Sequence, residues 1–218
     1  HWAWGKQYLS AIEFILNEIK KDLNDIDSIV DIGCGDGRFT RELHENFQNK
    51  KIRGIDYSTK SIDLAKALNP DLIFTCVDII NNKIDEKFDA ITLIEVFEHI
   101  PIEQASNFAE SLKDILNKNG KVFLTVPHEN KPLQDKHFQH FNYESLVRYF
   151  KNNFDISEVK YIQKHDKLLS LLNKLMFNKS WIINSSFINN LFYKLYKKRY
   201  FFASKKNCAR IYLKMTKK

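Results

Sequence analysis

Two carboxylates and an imidazole stand close together in the stretch Leu93-Ile-Glu95-Val-Phe-Glu98-His99-Ile-Pro101, which follows an apolar run. Glu95 lies three residues before Glu98 and four before His99, so in a helical turn all three side chains would point to one side. Such a set suits a divalent cation such as Mg²⁺ or Mn²⁺, because oxygen-rich ligation disfavours a structural zinc site. Downstream, the stretch Asp135-Lys-His137-Phe-Gln-His140-Phe-Asn142 offers a fourth ligand.

Three glycines at alternate positions follow a short apolar strand in Ser28-Ile-Val-Asp-Ile-Gly-Cys-Gly-Asp-Gly-Arg-Phe-Thr40. Glycines at a strand-to-helix turn permit positive φ and let the backbone approach a ligand closely. The helix that follows presents free N–H groups at the positive end of its dipole. Nicotinamide and flavin folds require G-x-G-x-x-G, whereas here the third glycine comes one residue early and Arg38 takes its place.

Acids also end the next two predicted strands. Asp56 ends the second strand, nineteen residues after Gly37, where doubly wound folds place the carboxylate that accepts both hydroxyls of a ribose. Asp78 ends the third strand, and an acid there has no obvious place in the dinucleotide pattern. The strand ends therefore predict a ligand that carries a ribose, and Asp78 helps to separate this chain from the dinucleotide-binding class.

Asp31 followed by G-x-G-x-G resembles the first motif of class I S-adenosylmethionine (SAM) dependent methyltransferases, and the resemblance covers about residues 29 to 150. It implies that Asp78 receives the amino group of adenine and that Ile79 lies against the ring. Tyr57 would stack on the adenine or be a partly buried surface tyrosine. Asp31 would act on the ammonium group of SAM. The residues expected to hold SAM are Asp31, Gly33, Cys34, Gly35, Gly37, Asp56, Tyr57, Asp78, Ile79 and Glu95.

The combination of E-x-x-E-H and a later histidine resembles metal-dependent O-methyltransferases, which act on small-RNA 3′ ends, ubiquinone precursors and sugars. By this resemblance, Mg²⁺ or Mn²⁺ would be bound by Glu95, Glu98, His99 and His137. His140 would be the catalytic base or a substrate contact, or the two later histidines would exchange roles. Because many SAM methyltransferases carry E-x-x-E-H-x-P without a metal, a metal-free enzyme is the alternative. A bound cation would lower the pKa of a sugar hydroxyl, so a metal predicts an oxygen acceptor.

The elements that must position these residues alternate between strands and helices. The predicted strands are residues 28–32, 51–56, 72–77, 88–94, 121–126, 155–162 and 209–215, and the predicted helices are 38–47, 59–68, 102–117 and 143–151. The alternation predicts an α/β class, a doubly wound Rossmann-like sheet with ligands at the carboxyl ends of its strands. The resemblance implies seven strands, with the last in a terminal hairpin.

Helical segments flank this core within a single predicted domain of residues 1–218. Residues 1–26 form an N-terminal helical cover, expected over the edge of the sheet, in which Trp2, Trp4 and Tyr8 would pack or line the ligand. Residues 163–207 form a basic helical insertion before the last strand. Its two apolar stripes predict helices: Leu168, Leu169, Leu171, Leu172, Leu175 and Met176 in one, and Phe187, Ile188, Leu191, Phe192, Leu195 and Tyr196 in the other.

The net charge of +7 is unevenly distributed along the chain. The last 59 residues, from Lys160 onward, contain fifteen Lys or Arg residues and one acid, Asp166, whereas the first 159 residues contain nineteen bases and twenty-six acids. This asymmetry predicts an anionic partner for the insertion, or a solvated basic face. The insertion is accordingly interpreted as a substrate lid, a homodimer contact or a patch on anionic lipid. Nucleic acid is the less favoured partner because no RNA-binding module signature is present.

Composition limits the location and the function. The chain has no run of eighteen apolar residues and its three cysteines lack metal-type spacing, so we expect a cytoplasmic protein, with contact at the inner membrane face as the alternative. The favoured function is SAM-dependent O-methylation of a small, anionic acceptor, such as a sugar or phosphorylated intermediate of bacterial surface-glycan (capsule) biosynthesis. The alternatives are an RNA ribose 2′-O-methyltransferase, a metal-free small-molecule methyltransferase and a SAM-binding regulatory subunit.

Overall fold

A computed structural model describes residues 2–176 and 185–218, with side chains from residue 5 onward. Seven strands form one sheet in the order β3-β2-β1-β4-β5-β7-β6. All neighbouring strands run parallel except β7, which is antiparallel to both β5 and β6. The strands are β1 (Ser28–Ile32), β2 (Lys51–Asp56), β3 (Ile73–Cys76), β4 (Phe88–Ile94), β5 (Leu116–Pro127), β6 (Phe154–Lys164) and β7 (Cys208–Lys217). The predicted seven-stranded doubly wound fold is therefore confirmed.

Helices cover both faces of the sheet. They are α1 (Trp2–Lys20), α2 (Arg38–Asn46), α3 (Thr59–Leu68), α4 (Ala105–Asp114), α5 (Tyr143–Phe150), α6 (Lys167–Met176) and α7 (Ser186–Arg199). The first, second, sixth and seventh helices share one apolar cluster with the sheet, and the fourth and fifth share the other. No helix of the described residues has the length and apolar character needed to cross a bilayer.

The first helix covers a face of the sheet, which corrects the expectation that it covers an edge. Its fully buried Ile15 and Ile19 join Ile29 of β1 and Phe123 of β5 in one cluster, and Phe14 packs edge-on against Tyr212 of β7. An apolar face this wide buries more surface on the central strands than an edge strand could offer. The side chains of Trp2 and Trp4 lie outside the described part of the chain.

The end of the fourth helix and the start of the fifth strand differ from the prediction. The helix expected over residues 102–117 begins with a separate 3₁₀ turn (Ile102–Gln104) and ends at Asp114. Strand β5 then starts at Leu116, which pairs with Phe88 of β4, and Asn119 with φ of 62° accommodates an irregularity in that pairing. The Asn-Gly signal therefore marks a kink inside a strand, whereas the sequence analysis placed it between a helix and a strand.

The predicted insertion contains two helices between β6 and β7. Leu169 and Met176 of α6, and Phe192 and Tyr196 of α7, bury one side of each helix in the cluster that contains α1. Residues 177–184, between the two helices, lie outside the described residues. Tyr193 donates a hydrogen bond to Glu13 at 2.9 Å, and Lys197 forms an ion pair with the same carboxylate, so α7 is fixed to α1.

Candidate active site

The glycine turn joins β1 to α2 with three left-handed residues. Gly33, Gly35 and Gly37 have φ of 71°, 55° and 78°, a conformation in which side chains are strained. A Cβ on Gly33 would lie 2.4 Å from Val96, so this glycine is required by packing. A Cβ on Gly35 would meet no protein atom within 4 Å, so the backbone at Gly35 faces open space. The turn therefore offers a ligand direct access to its backbone.

Asp56, at the end of β2, holds this turn in place. Its Oδ2 accepts a hydrogen bond from Gly35 N–H at 3.0 Å, and its Oδ1 accepts one from Ser58 N–H at 2.9 Å. Each carboxylate oxygen has a further lone pair, which leaves acceptor capacity for the hydroxyls of a ribose. The structure thus places Asp56 beside the glycine turn, where its predicted binding of a ribose stays a prediction.

The residues expected around adenine lie further along the same edge. Asp78 follows β3 and accepts hydrogen bonds from Ile80 N–H and Asn81 within its own turn, at 2.9 and 2.7 Å. Ile79 is buried in the apolar cluster that contains α4, whereas Tyr57 is 80% exposed. Tyr57 is therefore open to a stacking ligand. Asp78 can accept a hydrogen bond from a ligand only through the lone pairs that its own turn does not use.

Asp31 is buried and connects three elements. Its Oδ2 accepts a hydrogen bond from Thr40 of α2 at 2.7 Å, and its Oδ1 accepts one from Thr92 of β4 at 2.8 Å. Burial raises the pKa of Asp31 to about 6, although the two threonine hydroxyls oppose this shift. Its hydrogen bonds to the two threonines give Asp31 a structural role. It also lines the cavity, where its charge can act on a ligand.

A cavity of about 280 Å³ lies above the carboxyl ends of β1, β4 and β5 and beneath α1. Gly33 and Cys34 line one side, Glu95 and Arg210 another, and Tyr8 of α1 a third. Burial, followed by the charges of Asp31 and Asp56, raises the pKa of the Cys34 thiol, so Cys34 is a neutral wall residue. The cavity joins the predicted cofactor residues to the strand end that carries the E-x-x-E-H motif.

Glu95 starts a chain of contacts across the top of this cavity. Its φ of 57° is unusual for a residue other than glycine and marks local backbone strain. Its Oε1 accepts a hydrogen bond from Thr125 at 3.1 Å, and its Oε2 forms an ion pair with Arg210 Nε at 2.6 Å. Arg210 also donates to Gln163, whose amide donates to the Gln7 carbonyl at 3.2 Å. This chain ties β4, β7 and β6 to α1.

Beside the cavity lies a cluster of possible metal ligands formed by Glu98, His99 and His137. One ligand atom from each of the three lies within 4.8 Å of the other two. Glu98 is 1% exposed and its Oε2 has no hydrogen-bond partner. Burial, and then the charge of Glu95, raise the pKa of Glu98 to about 9. A buried carboxylate without a partner is costly in its charged form unless a cation binds it.

The two imidazoles of this cluster are held through their Nδ1 atoms. His99 Nδ1 lies 2.8 Å from the Lys136 carbonyl, and His137 Nδ1 lies 2.8 Å from His140 Nε2. Because a carbonyl can only accept, His99 carries its proton on Nδ1 and leaves Nε2 as a free ligand. Metal-binding histidines are commonly oriented in this way by their second nitrogen. The residues therefore fit a divalent cation.

The contacts of His140 do not favour the predicted role of a base, which stays a prediction. Its Nδ1 lies 3.0 Å from the Lys131 carbonyl and its Nε2 contacts His137, so protein atoms occupy both nitrogens. Its place is behind His137, where it orients that ring. Of the two downstream histidines, the structure brings His137 to Glu98 and His99.

Glu95 also departs from the expected arrangement. Among the described residues, the one potential metal cluster omits it, and its carboxylate is held by Thr125 and Arg210. The predicted helical turn does not extend back to Glu95, because its left-handed backbone precedes a short 3₁₀ turn over Phe97–His99. Glu95 therefore lies near enough to raise the pKa of Glu98 by its charge, but it is not one of the three clustered ligands.

Phe97 anchors that turn in the core. It is fully buried and stacks on Phe141 with ring centroids 5.3 Å apart. Phe138 N–H donates to the Glu98 carbonyl at 2.9 Å and joins the loop of His137 to the same turn. An aromatic pair of this kind contributes about 0.5–1.5 kcal/mol beyond its buried area. These contacts fix the positions of Glu98 and His137.

Cations near the cluster were missed by the sequence analysis. Lys131 is partly buried and pairs with no described acid, and its pKa is lowered by burial and then by Arg210. His165 likewise has its pKa lowered by burial, and next by Lys131 and Arg210. One signal was available for Arg210, a lone cation in the apolar stretch Cys208-Ala-Arg-Ile-Tyr-Leu213. Lys131 and Arg210 make a positive region beside Glu95, and His165 lies near both.

Comparison with known proteins agrees with this geometry. Residues 29–120 match the family described as "Methyltransferase domain". A putative methyltransferase 235L of Invertebrate iridescent virus 6 is 29% identical over 118 residues, 54% of this chain and 43% of that protein. Malonyl-[acyl-carrier protein] O-methyltransferase 1 of Ilyobacter polytropus is 28% identical over 124 residues, 56% of this chain and 44% of that protein. The chain thus spans less than half the length of these curated relatives.

A solved structure shows the same fold over nearly the whole chain. The SAM-dependent methyltransferase from Archaeoglobus fulgidus superposes with a TM-score of 0.61 at 15% identity, covering 95% of this chain and 94% of that one. The fold is therefore that of class I methyltransferases, and residues 29–120 match a methyltransferase domain family. The predicted methyltransferase fold is confirmed, and the domain match supports the predicted activity. The metal-dependent subtype and the individual site residues stay predictions.

Proposed function

We propose that this chain is a SAM-dependent O-methyltransferase that acts on a small, anionic, hydroxylated acceptor with the help of a divalent cation. The proposal depends on one observation: the glycine turn and the cluster of Glu98, His99 and His137 lie at neighbouring strand ends. Gly33 and Glu95 line the same cavity, and Glu98 lies three residues beyond Glu95. A methyl donor and its acceptor would meet between them.

SAM would lie along the carboxyl edge of β1, β2 and β3. Gly35 faces open space, so a ligand can approach its backbone, and Asp56 retains lone pairs for ribose hydroxyls. The methionine end would enter the cavity beneath α1, where Tyr8 and Asp31 are wall residues. The ionised carboxylate of Asp31 favours the SAM ammonium at neutral pH, above its pKa of about 6.

Methyl transfer from a sulfonium is an in-line displacement, so the protein's task is mainly alignment and exclusion of water. The contacts from Glu95 through Arg210 and Gln163 to α1 brace one wall of the cavity. They also fix the strained backbone at Glu95, next to where the acceptor would bind. This bracing supports a preorganised site that holds donor and acceptor at a fixed angle.

The cation would be held by Glu98, His99 and His137, with His140 orienting His137. When bound, it would lower the pKa of the acceptor hydroxyl and orient its oxygen. Without Glu95, the ligand set has two nitrogens and one oxygen, which suits Mn²⁺ or a later transition ion better than Mg²⁺. We therefore favour Mn²⁺ over Mg²⁺.

The charge around the cluster supports an anionic acceptor. Burial and then the charge of Arg210 lower the pKa of Lys131, and burial and then the charges of Lys131 and Arg210 lower the pKa of His165. The charges of Glu95 and Glu98 oppose the shift at Lys131. An acceptor with a phosphate or carboxylate group would relieve this repulsion. A sugar or phosphorylated intermediate of surface-glycan biosynthesis has this chemistry.

Mn²⁺ binding tests the metal part of the proposal. Electron paramagnetic resonance would follow Mn²⁺ titration of the chelator-treated full chain, as wild type, Glu98→Gln and Glu95→Gln. The two variants make the same chemical change three residues apart. We expect one Mn²⁺ site in wild type, at least tenfold weaker binding in Glu98→Gln and unchanged binding in Glu95→Gln. Unchanged binding in Glu98→Gln, or no site in wild type, would contradict the metal assignment.

Methyl transfer tests the acceptor class. Tritiated SAM would be offered with sugar phosphates, short single-stranded RNA and amines, with and without chelator. Transfer to a sugar hydroxyl that stops on chelation supports the proposal, whereas transfer to RNA ribose supports an RNA 2′-O-methyltransferase. Transfer to amines that survives chelation indicates a metal-free enzyme. Binding of S-adenosylhomocysteine with no transfer to any acceptor favours a regulatory subunit.

A further inference from the structure

The two insertion helices expose large apolar side chains beside their buried faces. On α6, Leu168, Leu171 and Leu175 are each about half exposed and repeat at i, i+3 and i+7. On α7, the exposed residues are Phe187, Ile188, Leu191 and Leu195, and Phe187 is 75% exposed. Their spacing forms a continuous stripe along each helix. Contiguous exposed apolar surface on this scale marks an interaction site.

Uncompensated positive charge accompanies the apolar stripes. The following exposed residues form no ion pair with any described acid: Lys167, Lys194, Lys198, Arg199 and Lys206. The one acid after residue 160, Asp166, is already paired with Lys164 at 3.0 Å. Leu195 and Leu191 alternate with Lys194 and Lys198 on α7, so apolar and basic groups reach the surface together.

We propose that the outer surface of α6 and α7 binds a membrane that carries anionic lipid, with the helices lying along the bilayer surface. Leucine and phenylalanine side chains would enter the acyl boundary while the lysines contact the phosphates, the pattern of interfacial helices. A second copy of this chain is a poor occupant. A two-fold interface would set each basic surface against an identical one.

The surface is separate from the cavity of the proposed reaction. None of its residues lines that cavity, but Gln163, which does, precedes α6 by four residues. The other end of the insertion leads to Arg210 of β7, also a cavity residue. Membrane binding can therefore be tested without turnover, and it holds or fails independently of the methyl acceptor.

Vesicle sedimentation of the full chain tests this surface. Extruded vesicles of phosphatidylcholine, with or without one-quarter phosphatidylglycerol, would be compared at low and high salt. We expect at least tenfold tighter binding to the anionic vesicles at low salt, and loss of most of this difference at high salt. Equal binding to both vesicle types, or no binding to the anionic ones, would overturn the proposal.

Paired variants identify the residues responsible. Phe187→Ser with Leu191→Ser removes apolar contacts, and Lys194→Glu with Lys198→Glu reverses charge. Each pair should weaken vesicle binding at least tenfold. Helix α3 provides matched controls, because its Leu64, Leu68, Lys60 and Lys66 are also exposed. Leu64→Ser with Leu68→Ser, and Lys60→Glu with Lys66→Glu, should bind vesicles like wild type.

Two outcomes would reassign the surface. If the control pairs weaken vesicle binding as much as the α7 pairs do, general charge and hydrophobicity explain the effect and the proposal fails. A wild-type dimer in sedimentation equilibrium that Phe187→Ser with Leu191→Ser dissociates would make the surface a self-interface. All of the substituted side chains are exposed, so we expect each variant to fold. Circular dichroism of each variant checks this.

Discussion

Substitution of Gly35 by alanine separates cofactor binding from folding. A Cβ added at Gly35 would meet no protein atom within 4 Å, so the free protein has room for the methyl group. The remaining cost is the left-handed backbone at φ of 55°, about 1–2 kcal/mol for a residue with a Cβ. With SAM or S-adenosylhomocysteine bound, the same methyl group would occupy the space through which the ligand approaches.

The backbone strain and the blocked ligand approach predict separate changes in melting temperature. For a domain of about 200 residues, each 1 kcal/mol shifts the melting temperature by about 2–4 °C, so Gly35→Ala should melt about 2–8 °C below wild type. S-adenosylhomocysteine at a hundredfold excess over its Kd stabilises the wild type by about 2.7 kcal/mol, a rise of about 5–11 °C. The variant should lack that rise at the same ligand concentration.

Thermal unfolding with and without S-adenosylhomocysteine measures both terms, and Asn119→Ala is the matched control. Asn119 has φ of 62° and is exposed in β5, so the variant carries similar backbone strain away from the site. It should melt slightly below wild type and keep the full ligand-induced rise. Gly33→Ala should lose far more stability, because its Cβ would overlap Val96 at 2.4 Å.

Either of two results would contradict these expectations. A full ligand-induced rise in Gly35→Ala would show that the ligand does not approach the glycine turn at this residue. A loss of stability as large as that of Gly33→Ala would show that the space beside Gly35 is not open.

Three further predictions concern other residues of the site. Because burial raises the pKa of Asp31 to about 6, above about 3.9 in the unfolded chain, its contribution to the free energy of unfolding falls as pH rises from 4 to 6. Relative to wild type, the free energy of unfolding of Asp31→Asn, measured by urea unfolding, should therefore rise by about 2–3 kcal/mol between pH 4 and pH 7. If the difference between the two proteins stays constant over this range, the burial argument is refuted. His140→Phe should weaken Mn²⁺ binding about 10–100-fold by releasing His137, and a His140→Gln variant that retains Lys131 contact should recover part of the loss. Arg210→Gln should raise the KM of an anionic acceptor by a larger factor than it lowers kcat. If KM and kcat change by equal factors, and do so for a neutral acceptor too, Arg210 has a purely structural role.

The sequence predicts the glycine turn well because its geometry is local. Alternate glycines between a strand and a helix leave few backbone solutions, and Asp56 must lie beside the turn once β1 and β2 pair in parallel. The order of the strands follows from right-handed crossovers and from the family resemblance. These features depend on short segments and on general rules of chain topology.

The metal cluster shows where local reasoning ends. Spacing alone placed Glu95 among the metal ligands, but Arg210, 115 residues away in sequence, binds the Glu95 carboxylate, and the cluster of three possible ligands omits it. The roles of His137 and His140 depend on how the loop after β5 folds, and no periodicity describes that loop. Contacts such as the approach of Lys131 to Arg210 arise only when β7 inserts between β5 and β6.

The most direct test of the account is calorimetric titration of the full chain with S-adenosylhomocysteine and, separately, with NADH. We predict saturable binding of S-adenosylhomocysteine with one site per chain, and weaker or no binding of NADH, because the third glycine and Asp78 match the SAM pattern. Absence of S-adenosylhomocysteine binding, or tighter binding of NADH, would contradict the central claim that this fold holds SAM.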